Sequence, residues 1–412
     1  MMKSGLVGLK SNTYSYPLFA LTLTIVGSRL AHYLFPSEPT FRGQPPSIWV
    51  AIGGSAVGLI LAITSRRLGN SARIPKIWVY LLALLVLAWL SSLAMMRIHE
   101  DLFAISTILV PTAVFALVLV LPTPSEIRST LVFFAATVLL GVAATMIAAS
   151  AGIRPFREDF EGRVPLPGLE AFRWEAYFGD ANNAGTIMAT TLLIAILKGG
   201  KAGWVLGLPS AAILLLSQSR TGVAAAVLGV TVMVVASWHR KGGKTWLIGF
   251  TLVGVVGSIL LLILVVDPTL NGRVLIWRDF LEIWGASPVI GLGFQGIQEQ
   301  VPGMTGLAQD AHNVLLDPLV RHGLAPFLFG AAFLVIAGFA SASRGLSSKG
   351  FPVAMYVTGI TCFMSYTTFG WAYMTLFLWP FLLASMLPTA WRTSDLEGTA
   401  ASLRHTVRNP TA

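Results

Sequence analysis

The sequence predicts an all-α polytopic membrane protein with about twelve transmembrane helices and a large outer loop containing short helices between spans 9 and 10. Three observations predict it. Hydrophobic residues make up 55% of the chain and charged residues only 11%, with a mean hydropathy of +0.74, whereas soluble domains carry roughly 25% charged residues. The apolar runs are long and continuous rather than ~10-residue alternating segments, which selects helices over a barrel; in lipid only those two structures satisfy the backbone internally. The basic residues, finally, segregate to one side of the spans.

The runs follow in order. Lys3 and Lys10 precede an apolar segment from about Tyr16, and no small-residue cleavage site follows, so the first span is expected to be retained. Apolar cores are then expected at 16–35, 48–64, 77–96, 102–121, 129–151, 181–197, 202–217, 221–238, 245–266, 324–340, 351–369 and 371–388, the last two joined by a tight turn near Gly370. The chain 1–412 reads as a single membrane-embedded unit, with outer loops at 152–180 and 267–323 and an inner tail at 389–412.

Orientation follows from charge. With the N-terminus inside, the inner segments hold seventeen Lys and Arg against three acids, Glu126, Asp395 and Glu397. The outer segments hold ten arginines and fifteen acids, and Arg29 lies within the first span. Both termini are thus expected in the cytoplasm. All eight lysines fall inside, and every outer cation is an arginine: 42, 97, 154, 157, 163, 173, 220, 273, 278 and 321. Arginine grips phosphate bidentately and keeps its charge when desolvated. The basic balance reflects topology; the soluble basic face of a nucleic-acid binder is missing, and no nucleic-acid partner is expected. The single cysteine, Cys362, lies in an apolar run and reads as a packing residue, and no Cys/His zinc spacing occurs.

Polarity concentrates in three outer segments: 152–180, the short turn SQSRTG (217–222), and the island 267–323, the longest stretch that no bilayer would hold. An enzyme working on the outer face, where no nucleotide pool exists, has this layout. LLLSQSRTG (214–222), FGDANNAGTIMA (178–189), GRVLIWRDFLEIWGASPVIGLGFQGI (272–297) and AHNVLLDPLVRHG (311–323) together resemble segments of the O-antigen ligase and polymerase superfamily, covering roughly 180–325. The resemblance implies a GT-C-like membrane glycosyltransferase in the bacterial inner membrane. Its donor would be a glycan on undecaprenyl diphosphate, and its acceptor the lipid A core (ligase) or a growing lipid-linked polysaccharide (polymerase). Membrane lipids are its surroundings, and no cofactor and no metal are expected.

Such chemistry needs charge neutralisation for a diphosphate and a base for the acceptor hydroxyl. Arg220 opens a helix that Ser217 or Ser219 can cap, and a helix N-terminus with an arginine forms an anion site; the alternative is an arginine snorkelling at the lipid boundary. Arg273 and Arg278 are five residues apart, about 140° around a helix, so they do not share a face. Arg273, at the helix start after Asn271-Gly272, is the better phosphate ligand; Arg278 has Glu282 at i+4 as a surface partner. His312 is the expected base, since histidine titrates near neutrality; His322 is a rival, and Asp310 and Asp317 are weaker candidates. Arg173, Asn182, Ser219 and Asn313 are further possible substrate contacts. The acidic run Glu158-Asp159-Phe160-Glu161 is interleaved with Arg154, Arg157 and Arg163, which suits a self-paired solvated loop better than a metal site. Phe172, Trp174, Tyr177 and Phe178 suit either the membrane interface or sugar rings.

Ligase is the first reading, and an O-antigen or exopolysaccharide polymerase the alternative, because the Arg273–His312 interval is short for a ligase. A transporter or flippase of lipid-linked sugars also suits twelve spans, but no internal repeat or broken midplane helix favours it.

Overall fold

The computed structural model describes residues 16–34, 46–64, 74–95, 101–152, 157–159, 172–178, 181–238, 273–293, 297, 313, 315–342, 350–363 and 378–387. These residues are mostly helical. In chain order the helices are α1 (Tyr16–Leu34), α2 (Pro46–Thr64), α3 (Lys76–Met95), α4 (Asp101–Val120), α5 (Pro124–Ser150), α6 (Ala181–Lys198), α7 (Gly200–Leu216), α8 (Arg220–Trp238), α9 (Arg273–Trp284), α10 (Leu316–His322), α11 (Leu324–Ala342) and α12 (Phe351–Phe363), followed by α13 (Leu378–Leu387). All but the two short helices α9 and α10 coincide with apolar runs. The run at 245–266, the turn near Gly370 and the tail 389–412 lie outside the described residues.

Local signals explain several boundaries. The segment Thr123-Pro-Ser-Glu126 opens α5 with a capping box: Glu126 N–H donates to Thr123 Oγ1 at 3.3 Å, and Thr123 N–H donates to Glu126 Oε2 at 2.7 Å. Pro124 sits at the first helical position, where no N–H is needed. Between α6 and α7, Gly199 and Gly200 both adopt positive φ and turn the chain back within two residues.

Helices α5 and α11 are long and apolar enough to cross a membrane by length and composition, and shorter apolar helices accompany them. The bundle turns large apolar side chains outward: Leu140, Ile147, Trp204, Val205 and Phe339 are each at least 65% exposed. Isolated soluble proteins rarely show such a rim, and it is consistent with an all-α membrane protein.

Packing is organised around α1, which lies against α2, α4 and α5, while α6 packs on α7 and α8, α8 on α12, and α3 on α11. α13 is buried at every one of its positions. It is pinned from two sides: Trp379 Nε1–H donates to Thr22 Oγ1 on α1 (3.0 Å), and Trp78 Nε1–H of α3 donates to the Met386 carbonyl (3.2 Å). A second, smaller apolar core lies in the island. It gathers Phe280, Ile297, Leu316, Leu319 and Val320, with Ile276, Trp277, Ile283, Trp284, Leu292 and Phe327 packed against it. Leu315 instead packs on the main core, so the start of α10 bridges the two.

The stretch 152–180 differs from a plain loop. Strands β1 (Arg157–Asp159) and β2 (Phe172–Trp174) pair antiparallel, with Glu158 opposite Arg173. A 3-10 turn, Ala176–Phe178, then sinks into the bundle. Tyr177 and Phe178 are fully buried there, which corrects their expected place at the membrane interface or on sugar rings. The reason is a notch in α5: a Cβ on Gly141 would come within 2.7 Å of the Tyr177 ring. Arg29 Nη2–H (2.8 Å) and Asn183 Nδ2–H (3.3 Å) both donate to the Phe178 carbonyl, so the buried turn keeps its polar backbone satisfied.

Candidate functional site

The turn after α7 is built from its own polar atoms. Ser217 Oγ–H donates to the Leu214 carbonyl (2.7 Å), and Ser219 N–H donates to Ser217 Oγ (3.3 Å). Gln218 takes a positive φ of 50° to let the chain reverse. Ser219 is then the N-cap of α8: Gly222 N–H donates to its Oγ at 3.1 Å, and Val223 N–H donates to its carbonyl at 2.9 Å. Arg220, the first residue of α8, is exposed. Arg220 thus stands at the positive end of a nineteen-residue helix, the place where an anion is favoured.

Glycines bring this turn against α6. A Cβ on Gly222 would lie 2.6 Å from the Gly185 backbone carbon, and one on Gly185 would lie 2.3 Å from Ser219 Cβ. This contact sets Asn182, one turn earlier on α6, beside the cap. Ser219 Oγ–H donates to Asn182 Oδ1 at 3.5 Å. The same oxygen accepts from Arg173 Nη2–H at 2.8 Å, and Arg173 Nε–H donates to the Ser217 carbonyl at 3.2 Å. Arg173 is buried, as are Ser217 and Ser219. Three separate segments (β2, the start of α6 and the 217–222 turn) therefore converge on one hydrogen-bonded cluster under Arg220.

The island holds a second polar group. α9 runs Arg273–Trp284. Arg278 on it is exposed and lies 3.4 Å from Asp279 rather than pairing with Glu282 as expected; an exposed pair of that length contributes little. After α9, Trp284 Nε1–H donates to the Pro288 carbonyl (3.1 Å), and the chain then clasps the far end of the island. Leu292 N–H donates to the Val320 carbonyl (2.8 Å), and Leu324 N–H to the Val289 carbonyl (3.0 Å). Gly291 and Gly323, both at positive φ, make this possible: a Cβ on either would fall within 2.5 Å of the opposing backbone.

Asn313 caps α10. Its Oδ1 accepts from Leu315 N–H (2.9 Å) and Leu316 N–H (3.0 Å), and Asp317 N–H donates to its carbonyl. Within α10, Arg321 Nε–H donates to Asp317 Oδ1 at 2.8 Å in a buried i,i+4 pair. His322 is also buried, and its Nδ1 has no hydrogen-bond partner among the described residues. Burial first, and the neighbouring Arg321 charge second, push its pKa down to about 3. The imidazole is therefore neutral at physiological pH and a weak base.

Set beside the sequence expectations, the structure joins Arg173, Asn182 and Ser219 directly and seats Arg220 at their rim. It places Arg273 at the first residue of α9 and Arg278 on that helix's exposed face. Asn313 is occupied in capping, Asp317 in the pair with Arg321, and His322 is buried. His312 lies outside the described residues. Sequence reasoning missed Ser217 as the acceptor for Arg173; the Phe-Arg-Trp alternation at 172–174 suggests a strand but would turn Arg173 toward solvent, opposite to its buried place. Among the described residues no group of three His, Cys, Asp or Glu side chains converges as a metal site would.

Apolar helices with outward-facing apolar side chains, carrying buried polar clusters at their ends, are consistent with an all-α membrane protein. A family model described as O-antigen ligase matches residues 205–329, so this stretch of the chain is similar to that family. The matched stretch runs from within α7 into α11 and contains both the 217–222 turn and the island. No curated protein matches the chain.

Proposed function

We propose that this protein is a membrane glycosyltransferase of the O-antigen ligase type. In this reading it moves a glycan from undecaprenyl diphosphate to an acceptor sugar hydroxyl of the lipid A core, on the outer face of the bacterial inner membrane. The observation that carries the reading is the family match across 205–329, which takes in Arg220, Arg273 and His312 together. The twelve-span, GT-C-like arrangement with cytoplasmic termini belongs to the same proposal.

The reaction is a single inverting displacement. The acceptor oxygen attacks the anomeric carbon, the bond from that carbon to the diphosphate oxygen breaks, and undecaprenyl diphosphate leaves. His312 accepts the hydroxyl proton. Arg220, on the positive end of α8, and Arg273, at the start of α9, take up the charge that develops on the leaving diphosphate, with Arg278 at the rim. No metal is assigned a part. Arg173, Asn182 and Ser219 hold the turn that carries Arg220, and Arg173 and Asn182 are in the reading contacts near the diphosphate. Asn313 and His322 lie on the acceptor side.

Support for the arginine role comes from the cluster beneath Arg220. A buried arginine spent on a backbone carbonyl and an amide oxygen fixes the turn before any ligand arrives, which is the preorganisation that charge stabilisation requires. The second reading, a polymerase that lengthens a lipid-linked chain, is favoured by the short Arg273–His312 interval. Product analysis with an undecaprenyl-diphosphate-linked glycan separates the two: glycan on lipid A core marks a ligase, and a longer lipid-linked chain marks a polymerase. Movement of the lipid across vesicles with no new glycosidic bond would mark a transporter. Arg220→Ala, Arg273→Ala and His312→Ala should each abolish transfer while the protein is still inserted; full activity in all three would overturn the site assignment.

A further inference from the structure

The turn after α9 exposes two adjacent β-branched residues, Val289 at 67% and Ile290 at 58%. Exposed polar loops do not ordinarily end in such a pair, and these two have no role in the island's own apolar core. Their position is rigid. Trp284 holds the Pro288 carbonyl, and the Val289 carbonyl accepts the N–H of Leu324, the first residue of α11. Gly291 and Gly323 let the two backbones meet there.

That bond fixes what lies beside the pair. α11 is one of the two helices long and apolar enough to cross a membrane. Its exposed large side chains are Leu324, Leu328, Val335 and Phe339. Spaced by four, seven and four residues, they form one stripe along the helix. The stripe begins at Leu324, the residue bonded to Val289. The exposed apolar stripe of α11 therefore starts at the residue whose backbone meets Val289, next to the exposed Val289 and Ile290. The exposed face of α9 is different. It presents Arg278 and Glu282 between Leu275 and Leu281, a mixed face that suits water or headgroups.

We infer that the Val289–Ile290 turn is a membrane anchor, inserted into the acyl boundary of the leaflet that α11 enters. The occupant of this surface is the bilayer itself, because the surface adjoins a lipid-facing stripe and carries no charge of its own. α9 then rides at the headgroup level, held there by the anchor at its C-terminal side and with its charged face turned away from the acyl chains. This goes beyond the proposed glycosyl transfer and does not depend on it.

The test places a nitroxide at single cysteines in the full chain, reconstituted in vesicles of phosphatidylethanolamine and phosphatidylglycerol. Cys362 is buried and stays in place. The labelled variants are Val289→Cys and Ile290→Cys, with Leu328→Cys as the lipid reference and Glu282→Cys as the aqueous one. Collisions with oxygen and with a water-soluble nickel chelate are measured at each site. The expected result is an oxygen-to-nickel ratio at 289 and 290 matching that at 328 and above that at 282. A nickel-dominated response at 289 and 290, with the two references in order, overturns the anchor in favour of a water-exposed turn. Shielding from both reagents overturns it in favour of a second copy or another protein seated on the turn.

Discussion

The buried guanidinium of Arg173 donates to the Ser217 carbonyl and the Asn182 amide oxygen, and that of Arg321 donates to the carboxylate of Asp317. Asp317→Ala leaves Arg321 buried without its counter-charge and should cost about 3–5 kcal/mol, measured as a fall in the thermal midpoint of the purified protein. Arg173→Ala removes one donor each from the Ser217 carbonyl and Asn182 Oδ1, at roughly 1–3 kcal/mol. His322 gives a pH dependence with a definite sign. Its folded pKa of about 3 lies below the ordinary 6.5, so the unfolded chain takes up a proton that the folded chain refuses. The stabilisation is complete above pH 6.5 and is lost as the pH falls from there toward 3. Thermal midpoints at pH 7.5 and 4.5 should show this drop, and His322→Gln should reduce it. None of this was legible from residue type: a histidine in Arg-His-Gly reads as a rival base until burial shows it to be neutral. A cap at Ser217 or Ser219 was legible, because a serine just before a long apolar run suits that use; the structure picks Ser219.

At the scale of elements, the caps and the glycine contacts decide where the polar segments sit. Ser219→Ala removes the acceptor for Gly222 N–H and should cost about 1 kcal/mol; under the proposed function it should also weaken anion binding at Arg220, read as a higher KM for the proposed lipid-linked donor. Gly323→Ala forces a positive-φ residue with a Cβ into the Val289 carbonyl. It should open the clasp and expose 285–293 to proteolysis, with the helical signal of the bundle retained. Helices were the legible elements, since each long apolar run has one solution in lipid. The β1–β2 hairpin was not, because its strands are three residues each and lie twelve residues apart. The clasp was invisible for another reason: it consists of backbone bonds between segments some thirty residues apart, and backbone atoms carry no sequence signature beyond the two glycines.

For the whole molecule, hydropathy marked which runs are apolar but not which of them face lipid. α13 is apolar like its neighbours, yet it lies inside the bundle with no exposed position, held to α1 by Trp379 and to α3 by Trp78. The consequence concerns the order of assembly. A chain that emerges from its N-terminus has made α1 and α3 long before α13 exists. Until then Thr22 lacks the indole that donates to it, and the Trp78 indole lacks its acceptor. The early helices must either stand apart or enclose a slot that later receives the last one. Closure of the bundle is therefore a final, C-terminal event. Ending the chain at residue 377 should leave the earlier apolar helices formed but splayed. The Trp78 indole would then lack the Met386 carbonyl, and its fluorescence, read in a chain with the other tryptophans replaced, would report a more mobile, wetter ring.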